Sequence, residues 1–301
     1  MDSRLGVFLT VARMEQLTRA SQHLNLAPSS VSQQITGLEQ DLGAVLFTRT
    51  SRGMKLTASG RLLFTMAEEM EATWQKTVRT IQLYEHHSAE VRIAASHTVS
   101  ELYLPRPLGR FRSESPHTRI HLSMTNSTNV VEQVLRGTVD IGIIEGAAPN
   151  SRVEKISLWR DSMGLIVSRQ HPFVSHASIG LKELEHLEWI LREPGSGTRR
   201  VFERALEDAG SSIGRLMILM ELSSLRAITA MVANNVGVSV VSEAIVGSSE
   251  IKIPGVKLLP IRELSLTRTI EAVISPHSTS DTVKRLLSRL QEDVAIRQHQ
   301  G

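Results

Sequence analysis

The segment 191–200 carries the residue types that bind anions. It reads Leu-Arg-Glu-Pro-Gly-Ser-Gly-Thr-Arg-Arg, so glycines let the backbone turn and hydroxyl groups lie beside arginines. A helix is predicted to start at residue 198, and the N–H groups at a helix N-terminus attract anions. The Gly-Lys-Ser/Thr ending of a P-loop is absent, and a plain glycine-rich turn capped by a threonine is the alternative. We expect an anion to be bound by Gly195, Ser196, Gly197 and Thr198.

Hydroxyl residues also follow two predicted strands in the same half of the chain, at 91–96 and 119–125. Ligands of open parallel sheets lie outside the carboxyl ends of the strands, near helix N-termini. We therefore expect four more residues to line the same site: Ser96, Thr98, Thr125 and Ser127.

Short polar side chains cover one face of a predicted helix near the N-terminus. Pro28 suits the first turn of this helix, and Val31, Ile35 and Leu38 form its apolar stripe. The opposite face is nearly uncharged, whereas a merely solvated face is usually charged, although a polar surface without a partner is the alternative. Gln can form two hydrogen bonds with adenine, and Ser or Thr reaches phosphates or bases in a major groove. On this helix we expect contacts with DNA from Pro28, Ser29, Ser30, Ser32, Gln33 and Thr36.

Two shorter predicted helices, at 3–13 and 18–24, precede the polar helix, with a tight turn at 25–27. Thr18 is predicted to be the N-cap of the second helix and is counted with the DNA-contacting residues. The pattern is typical of a helix-turn-helix, whose second helix enters the major groove.

Two β-prone runs, 45–49 and 54–57, flank a Ser-Arg-Gly turn and predict a hairpin, or wing. Arg49 and Arg52 lie there, in a stretch, 49–61, that has no acidic residue. A solvated basic face is the usual explanation of such a run. Beside a helix-turn-helix, however, we expect the two arginines to contact phosphates or to enter a minor groove.

The order and spacing of these residues resemble the N-terminal signature of LysR-type transcriptional regulators. The residues that carry the resemblance are Ala20, Leu24, Pro28, Ser29, Ser30, Val31, Ser32, Gln33, Gln34, Ile35, Leu38, Glu39, Leu42, Gly43, Leu46, Phe47, Thr48, Arg49, Leu56, Thr57 and Gly60. The resemblance implies a winged helix-turn-helix, a long dimerising helix and a C-terminal effector domain, in a protein that forms dimers or tetramers. One departure is Ala27, because family members often carry Gln at this position.

The segment 191–200 also resembles the corresponding loop of LysR-type members that control sulfur or carbon-fixation genes. This similarity implies an inorganic oxoanion, or a small phosphorylated or carboxylated metabolite, as the effector. The partners expected are thus double-stranded promoter DNA, that anion and further copies of the chain, with RNA polymerase as an additional candidate. Activation is the working expectation, and repression stays open.

A long helix is predicted at 58–86, because this segment contains no proline and no glycine after Gly60. Its apolar or weakly polar residues recur every three or four positions: Leu63, Met66, Met70, Trp74, Thr77, Ile81 and Tyr84. A domain-core seam is the usual cause of such a stripe. Here little sequence is available to cover it, so we expect two copies to pair through it. Residues 87–90 are the predicted hinge, and His86 and His87 lack companion ligands at metal spacing.

The remainder alternates between predicted strands and helices and indicates two α/β lobes, similar to periplasmic solute-binding proteins. The predicted strands lie at 91–96, 119–125, 140–144, 163–168, 188–192, 217–221, 237–241 and 267–274, and the helices at 101–113, 130–135, 198–209, 223–235 and 279–296. We expect mainly parallel sheets with helices on both faces. The predicted domains are 1–57 (winged helix-turn-helix), 58–86 (linker helix), 91–162 with 265–301 (lobe I) and 163–264 (lobe II).

Composition excludes several functional classes. The 301 residues include no cysteine, which excludes disulfides, cysteine-ligated zinc and thiol redox sensing. The net charge of +3 is too small to indicate nucleic acid by itself. No segment predicts a membrane span or a secretory signal, so a cytoplasmic protein is expected. No nucleophile elbow, zinc motif or nucleotide loop is present, so neither enzymatic activity nor a cofactor or metal is expected. A transport component is the alternative that the two-lobed half would fit, but the predicted DNA-binding end argues against it.

Overall fold

The computed structural model describes residues 2–50, 53–85, 89–146, 153–247, 254–275 and 280–298. The chain forms two compact units, Met1–Glu85 and His86–Gly301. The first consists of α1 (Ser3–Met14), α2 (Leu17–Leu24), α3 (Pro28–Leu42), β1 (Phe47–Thr50), β2 (Gly53–Leu56) and α4 (Ala58–Glu85). The predicted helices, the hairpin and the long helix are therefore confirmed.

The apolar stripe of α3 forms the core of the first unit. Val31, Ile35 and Leu38 are buried, and they pack with Phe8 of α1 and Leu46 before β1. The predicted N-cap of α2 was wrong, because α2 begins one residue before Thr18 and Gln16 is its N-cap. Gln16 is extended and its carbonyl accepts the N–H of Ala20 at 3.0 Å.

Two contacts fix the hairpin against the helices. The Oε1 atom of Glu39, on α3, accepts the backbone N–H of Leu46 at 2.7 Å and that of Phe47 at 3.3 Å. The N–H of Met54 donates to the carbonyl of Glu15 at 2.7 Å. Gly53 has φ of 138°, and a Cβ atom there would lie 2.2 Å from the Glu15 carbonyl oxygen, so only glycine fits this approach.

Much of the stripe on α4 faces outward in the first unit. Met66, Met70, Trp74 and Ile81 are each at least half exposed, whereas Leu63 packs against the core. The side chain of Tyr84 lies outside the described residues, as do His86, His87 and the first part of the predicted hinge. The rest of that hinge was wrong, because residues 89 and 90 already belong to the first strand of the second unit.

The second unit alternates strands and helices. In chain order these are β3 (Ala89–Ser96), α5 (Pro105–Glu114), β4 (Thr118–Thr125), α6 (Ser127–Leu135), β5 (Ile141–Glu145), β6 (Glu154–Ser168), α7 (Leu181–Leu184), β7 (Glu188–Arg192), α8 (Gly197–Asp208), β8 (Met217–Leu222), α9 (Leu225–Ala233), β9 (Ser239–Ser242), α10 (Ala244–Gly247), β10 (Val256–Leu259), β11 (Thr267–Ile274) and α11 (Asp281–Gln298). The bounds predicted for β7 and β11 are confirmed. The helix predicted at 101–113 is instead a π-helical turn, Val99–Tyr103, followed by α5, which starts at Pro105 because proline has no N–H to continue the turn.

The main sheet of the second unit is mixed rather than mainly parallel. Its strand order is β10-β6-β11-β5-β3-β4, and β9 also pairs with β6. β3 runs parallel to β4 and β5, but β11 is antiparallel to both β5 and β6. The prediction failed because β11 returns from the second half of the unit in the opposite direction. A separate parallel pair, β7 and β8, carries α8 between its strands in the sequence.

Strand β6 connects the two halves of the second unit. It starts at Glu154, well before the predicted residue 163, because residues 154–162 pair with β11. Residues 163–168 pair with β9 and β10 instead. One apolar cluster surrounds Ile93 and Leu286, and a second surrounds Trp189 and Phe202. The division into lobes at 162/163 and 264/265 stays a proposal.

Candidate nucleic-acid interface and ligand site

The face of α3 opposite its buried stripe carries the polar side chains singled out in the sequence. Ser29, Gln33 and Thr36 are exposed, while Ser30 and Ser32 are half-buried. Among the described residues, none hydrogen-bonds to these five side chains. The helix therefore presents a row of unengaged donors and acceptors on a rigid element.

Three of the four other predicted DNA contacts lie on described elements of the first unit. Pro28 is the first residue of α3, and the N-cap Ala27 makes no side-chain hydrogen bond to the helix. Thr18 is exposed on α2 and Arg49 is exposed on β1. Arg52 lies outside the described residues.

In the second unit, the N-termini of α6 and α8 meet. The backbone N–H and the hydroxyl of Thr128 both approach the carbonyl oxygen of Gly195 at 3.4 Å. Arg200 donates from one terminal nitrogen to the Thr128 hydroxyl at 3.4 Å. Gly195 has φ of 87°, and a Cβ atom there would lie 3.2 Å from the side chain of Asn126, the N-cap of α6. The positive ends of two helix dipoles thus lie side by side.

Three buried donor groups at this meeting point have no hydrogen-bond partner. They are the Oγ atoms of Ser127 and Ser196, which are 0% and 1% exposed as residues, and one terminal nitrogen of Arg200. Burial lowers the pKa of Arg200, and no described carboxylate forms an ion pair with it. A buried donor without a partner costs about 1–3 kcal/mol. The arrangement is therefore suited to an acceptor that arrives from outside the chain, and a small anion has the required chemistry.

Three of the four remaining predicted hydroxyls, those of Ser96, Thr98 and Thr198, face a carboxylate instead. Ser96 donates to Glu145 Oε1 at 2.9 Å, and the Thr198 hydroxyl lies 3.5 Å from Glu145 Oε2. Thr98 also hydrogen-bonds to Glu145, which is 1% exposed. Gly197, the first residue of α8, packs directly on the same carboxylate. Ser96, Thr98 and Thr198 are brought together as predicted, but around an internal anion.

Thr125, the last residue of β4, is engaged with α6. Its hydroxyl accepts the side-chain N–H of Asn129 at 3.2 Å, within the first turns of α6.

Arg268 balances Glu145 and extends the buried network. Its guanidinium donates to Glu145 Oε2 at 3.1 Å, to the Thr198 hydroxyl at 2.9 Å and to Asp161 Oδ2 at 2.7 Å. Asp161 also accepts the hydroxyls of Tyr103 and Ser242 at 2.7 and 2.6 Å. The network therefore joins β5, β6, β9, β11 and α8.

The pKa values of this network follow from burial and charge together. Burial alone raises the pKa of Glu145, but Arg268, the Thr98 and Ser96 hydroxyls and Arg192 outweigh it and hold the pKa below its ordinary value. For Arg268, burial lowers the pKa, but Glu145 and Asp161 outweigh it and raise the pKa. Both groups are thus charged near neutral pH.

The sequence reasoning missed Glu145, Asp161 and Arg268, and it did not list Arg200 among the ligand residues although Arg200 belongs to the segment 191–200. A glutamate that ends the otherwise apolar strand Ile-Gly-Ile-Ile-Glu was the available signal, because a charge in such a strand is buried only when it is paired. Nothing in the sequence indicated that its partner lies in β11.

No described helix is long and apolar enough to cross a membrane. The part of the chain that the structure describes holds no cluster of histidine, cysteine, aspartate and glutamate suited to a metal ion.

Comparison with known proteins decides the family. The profile described as "LysR substrate binding domain" matches residues 85–295, and that described as "Bacterial regulatory helix-turn-helix protein, lysR family" matches residues 3–61. The chain belongs to the LysR family of DNA-binding transcription regulators. Its first unit carries the DNA-binding helix-turn-helix and its second unit the family's substrate-binding domain.

Relatives of this LysR-family chain are transcription regulators rather than enzymes. It is 32% identical to the "Uncharacterized HTH-type transcriptional regulator YeiE" of Escherichia coli over 81% of this chain and 80% of that protein. It is 29% identical to a "Probable RuBisCO transcriptional regulator" of Cyanidioschyzon merolae over 91% of both chains.

Solved structures share the fold at lower identity. Full-length CbnR complexed with its target DNA has a TM-score of 0.62 at 20% identity, covering 97% of this chain and 99% of that one. The CcmR regulatory domain of Synechocystis PCC6803, in complex with 2-PG, has a TM-score of 0.62 at 22% identity, covering 69% of this chain and 98% of that domain.

Proposed function

We propose that this LysR-family regulator reads promoter DNA with the polar face of α3, and that a small anion bound between the N-termini of α6 and α8 controls it. The proposal that an anion controls the protein rests on the buried, unpartnered donors of Ser127, Ser196 and Arg200. The cytoplasm, where promoter DNA is found, is the compartment in which it acts.

On the DNA side, Gln33 is the residue with the chemistry to read a base. It is exposed on α3 and can form two hydrogen bonds with adenine. The hydroxyls of Ser29, Ser30, Ser32 and Thr36 reach phosphates or further bases, and Thr18 in the first turn of α2 and Pro28 at the start of α3 are assigned to the same DNA contact. Arg49 and Arg52 of the wing add phosphate or minor-groove contacts that depend on salt.

The recognition role is tested with Gln33→Ala against Gln40→Ala, which changes an exposed glutamine near the other end of α3. Binding to the chain's own promoter region and to random DNA is titrated at matched salt. Loss of one bidentate base contact costs about 1–3 kcal/mol, so Gln33→Ala should bind the promoter roughly 5- to 150-fold more weakly. Gln40→Ala should bind like the wild type. Unchanged promoter affinity in Gln33→Ala would remove the residue from the reading surface.

On the effector side, an anion at the α6 and α8 N-termini would satisfy all three free donors at once. Because Thr128 already touches Gly195 there, the anion favours the arrangement in which the two helix N-termini stay together. An effector changes DNA binding only through such a difference in affinity between two arrangements of the protein. The change in operator spacing or bending is the output that such a regulator offers to RNA polymerase.

The effector site is tested by calorimetry with sulfate, sulfite, phosphate and short organic acids on the full chain. Ser196→Ala should weaken binding of the anion that the wild type prefers. Ser211→Ala is the matched control, because the Ser211 hydroxyl is also buried and unpartnered but lies beyond the far end of α8. Equal affinity in both variants would place the ligand elsewhere, and turnover of any of these anions would revive an enzymatic function.

We further propose that the chain works as a homodimer or homotetramer in which copies pair through α4. The support is the run of outward-facing apolar side chains at Met66, Met70, Trp74 and Ile81. Such a stripe is costly in water unless a second helix covers it. Pairing also joins two DNA-binding units, which raises affinity for a two-part operator.

A further inference from the structure

Glu145 lies against the first turn of the helix that forms the candidate anion site. It is the last residue of β5, and its residue is 1% exposed. A Cβ atom on Gly197 would lie 2.9 Å from Glu145 Oε2 and 2.4 Å from the Glu145 carbonyl oxygen. The carboxylate therefore packs directly on α8, one residue after Ser196.

The Glu145 carboxylate can only accept hydrogen bonds. Arg268 and the surrounding hydroxyls keep Glu145 ionised, as described above. An ionised carboxylate accepts hydrogen bonds and donates none. Any ligand group that approaches it must therefore bring its own proton.

One acceptor position on Glu145 is only weakly used. Ser96 donates to Oε1 at 2.9 Å, Arg268 donates to Oε2 at 3.1 Å, and Thr98 also hydrogen-bonds to this carboxylate. The Thr198 hydroxyl lies 3.5 Å from Oε2, whereas O–H···O bonds are ordinarily about 2.7–2.8 Å long. A stronger donor that displaces the Thr198 hydroxyl can take this position while Ser96 and Arg268 keep their contacts.

We propose that Glu145 makes the site select oxoanions that keep a hydroxyl group near neutral pH, such as hydrogen phosphate, over fully deprotonated ones such as sulfate. This specificity rests on the proposed function, namely that an anion binds at Ser127, Ser196 and Arg200. The hydroxyl of the anion donates to Glu145 Oε2, and its other oxygens accept from the three free donors. Sulfate has no proton, so it would place lone pairs against an ionised carboxylate.

The test compares tetrahedral anions of similar size on the full chain by calorimetry in chloride buffer near neutral pH. Phosphate and arsenate carry a proton there, and sulfate and selenate do not. A hydrogen bond to a charged group supports a preference of roughly 10- to 100-fold for the protonated pair. Glu145→Gln supplies an amide donor in place of the carboxylate and should remove most of this preference by strengthening sulfate binding. Ser211→Ala should keep the preference.

The outcomes separate this specificity from the proposed site. If sulfate and phosphate bind wild type within about 3-fold of each other and Ser196→Ala weakens both, the anion site stands and the role of Glu145 is overturned. Undiminished preference in folded Glu145→Gln, or no phosphate binding by wild type, overturns it as well. A phosphate affinity that Ser196→Ala leaves unchanged places the anion elsewhere and overturns both. The wild-type comparison decides the question even where Glu145→Gln does not fold.

Discussion

Removing the guanidinium of Arg268 should destabilise the second unit strongly, because this group neutralises the two buried carboxylates of Glu145 and Asp161. The side chains of Arg268, Glu145 and Asp161 are all at most 1% exposed. Taking one partner out of a buried ion pair costs about 3–5 kcal/mol, since the remaining charge has neither water nor counter-charge. The free energy of unfolding of a typical folded domain is only about 5–15 kcal/mol in total. Arg268→Leu should therefore lower the melting temperature of this unit by roughly 6–20 °C, at ~2–4 °C per kcal/mol.

The loss of stability in Arg268→Leu should also depend on pH in a predictable direction. In the wild type the pKa of Glu145 lies below its ordinary value, so its contribution to stability is full above the unfolded-state pKa and is lost as pH falls through the folded-state pKa. In Arg268→Leu, burial without the cation should raise the pKa of Glu145 above the unfolded value. The difference in stability between the two proteins should thus be largest near pH 7 and should narrow as pH falls toward about 4.

The assay is thermal and urea unfolding of both proteins between these pH values, with Arg204→Leu as the matched control. Arg204 pairs with Asp208 on the surface of α8 at 3.1 Å and its side chain is 76% exposed. Removal of such a pair costs at most about 1 kcal/mol. The reasoning would be refuted if Arg268→Leu lost no more stability than Arg204→Leu at neutral pH. It would also be refuted if the stability difference between wild type and Arg268→Leu grew as pH fell.

Three further predictions concern the first unit. Glu39→Ala leaves the backbone N–H groups of Leu46 and Phe47 without their acceptor and should lower the free energy of unfolding, measured in urea, by about 1–3 kcal/mol. An unchanged urea midpoint would contradict this. Gly53→Ala brings a Cβ atom to 2.2 Å from a carbonyl oxygen and should lower the free energy of unfolding by about 1–3 kcal/mol. The control Gly6→Ala lies in α1 with nothing within 4 Å of the new Cβ atom, so it should leave stability unchanged or raise it by up to ~1 kcal/mol. Equal effects of the two substitutions would refute the argument. Trp74→Lys places a charge in the exposed stripe of α4 and should weaken self-association by light scattering at micromolar concentration, while an unchanged mass would show that this part of α4 is not an interface.

Local patterns in the sequence predicted the DNA-binding unit almost completely. The spacing of Val31, Ile35 and Leu38 predicted both α3 and its buried side, because one helical period decides which residues share a face. Pro28 marked the start of α3, and the predicted runs 45–49 and 54–57 overlap the two strands of the wing, β1 and β2. The N-cap of α2 was wrong by two residues, since hydrogen bonding of the preceding turn decides where a helix begins.

The ligand site was only half predictable, because its chemistry depends on contacts between distant segments. The sequence indicated Ser127 and Ser196 from their places before two helices, and the structure leaves their hydroxyls buried and free. The targets of Ser96, Thr98 and Thr198 could not be inferred, because Glu145 reaches them only when β5 lies beside α8. Hydroxyl groups donate to whichever acceptor the fold brings closest, and that acceptor was set by the tertiary structure. The sequence by itself thus determined the family and most of the helices and strands, whereas packing decided the strand directions, which side chains are already paired and which still need a ligand.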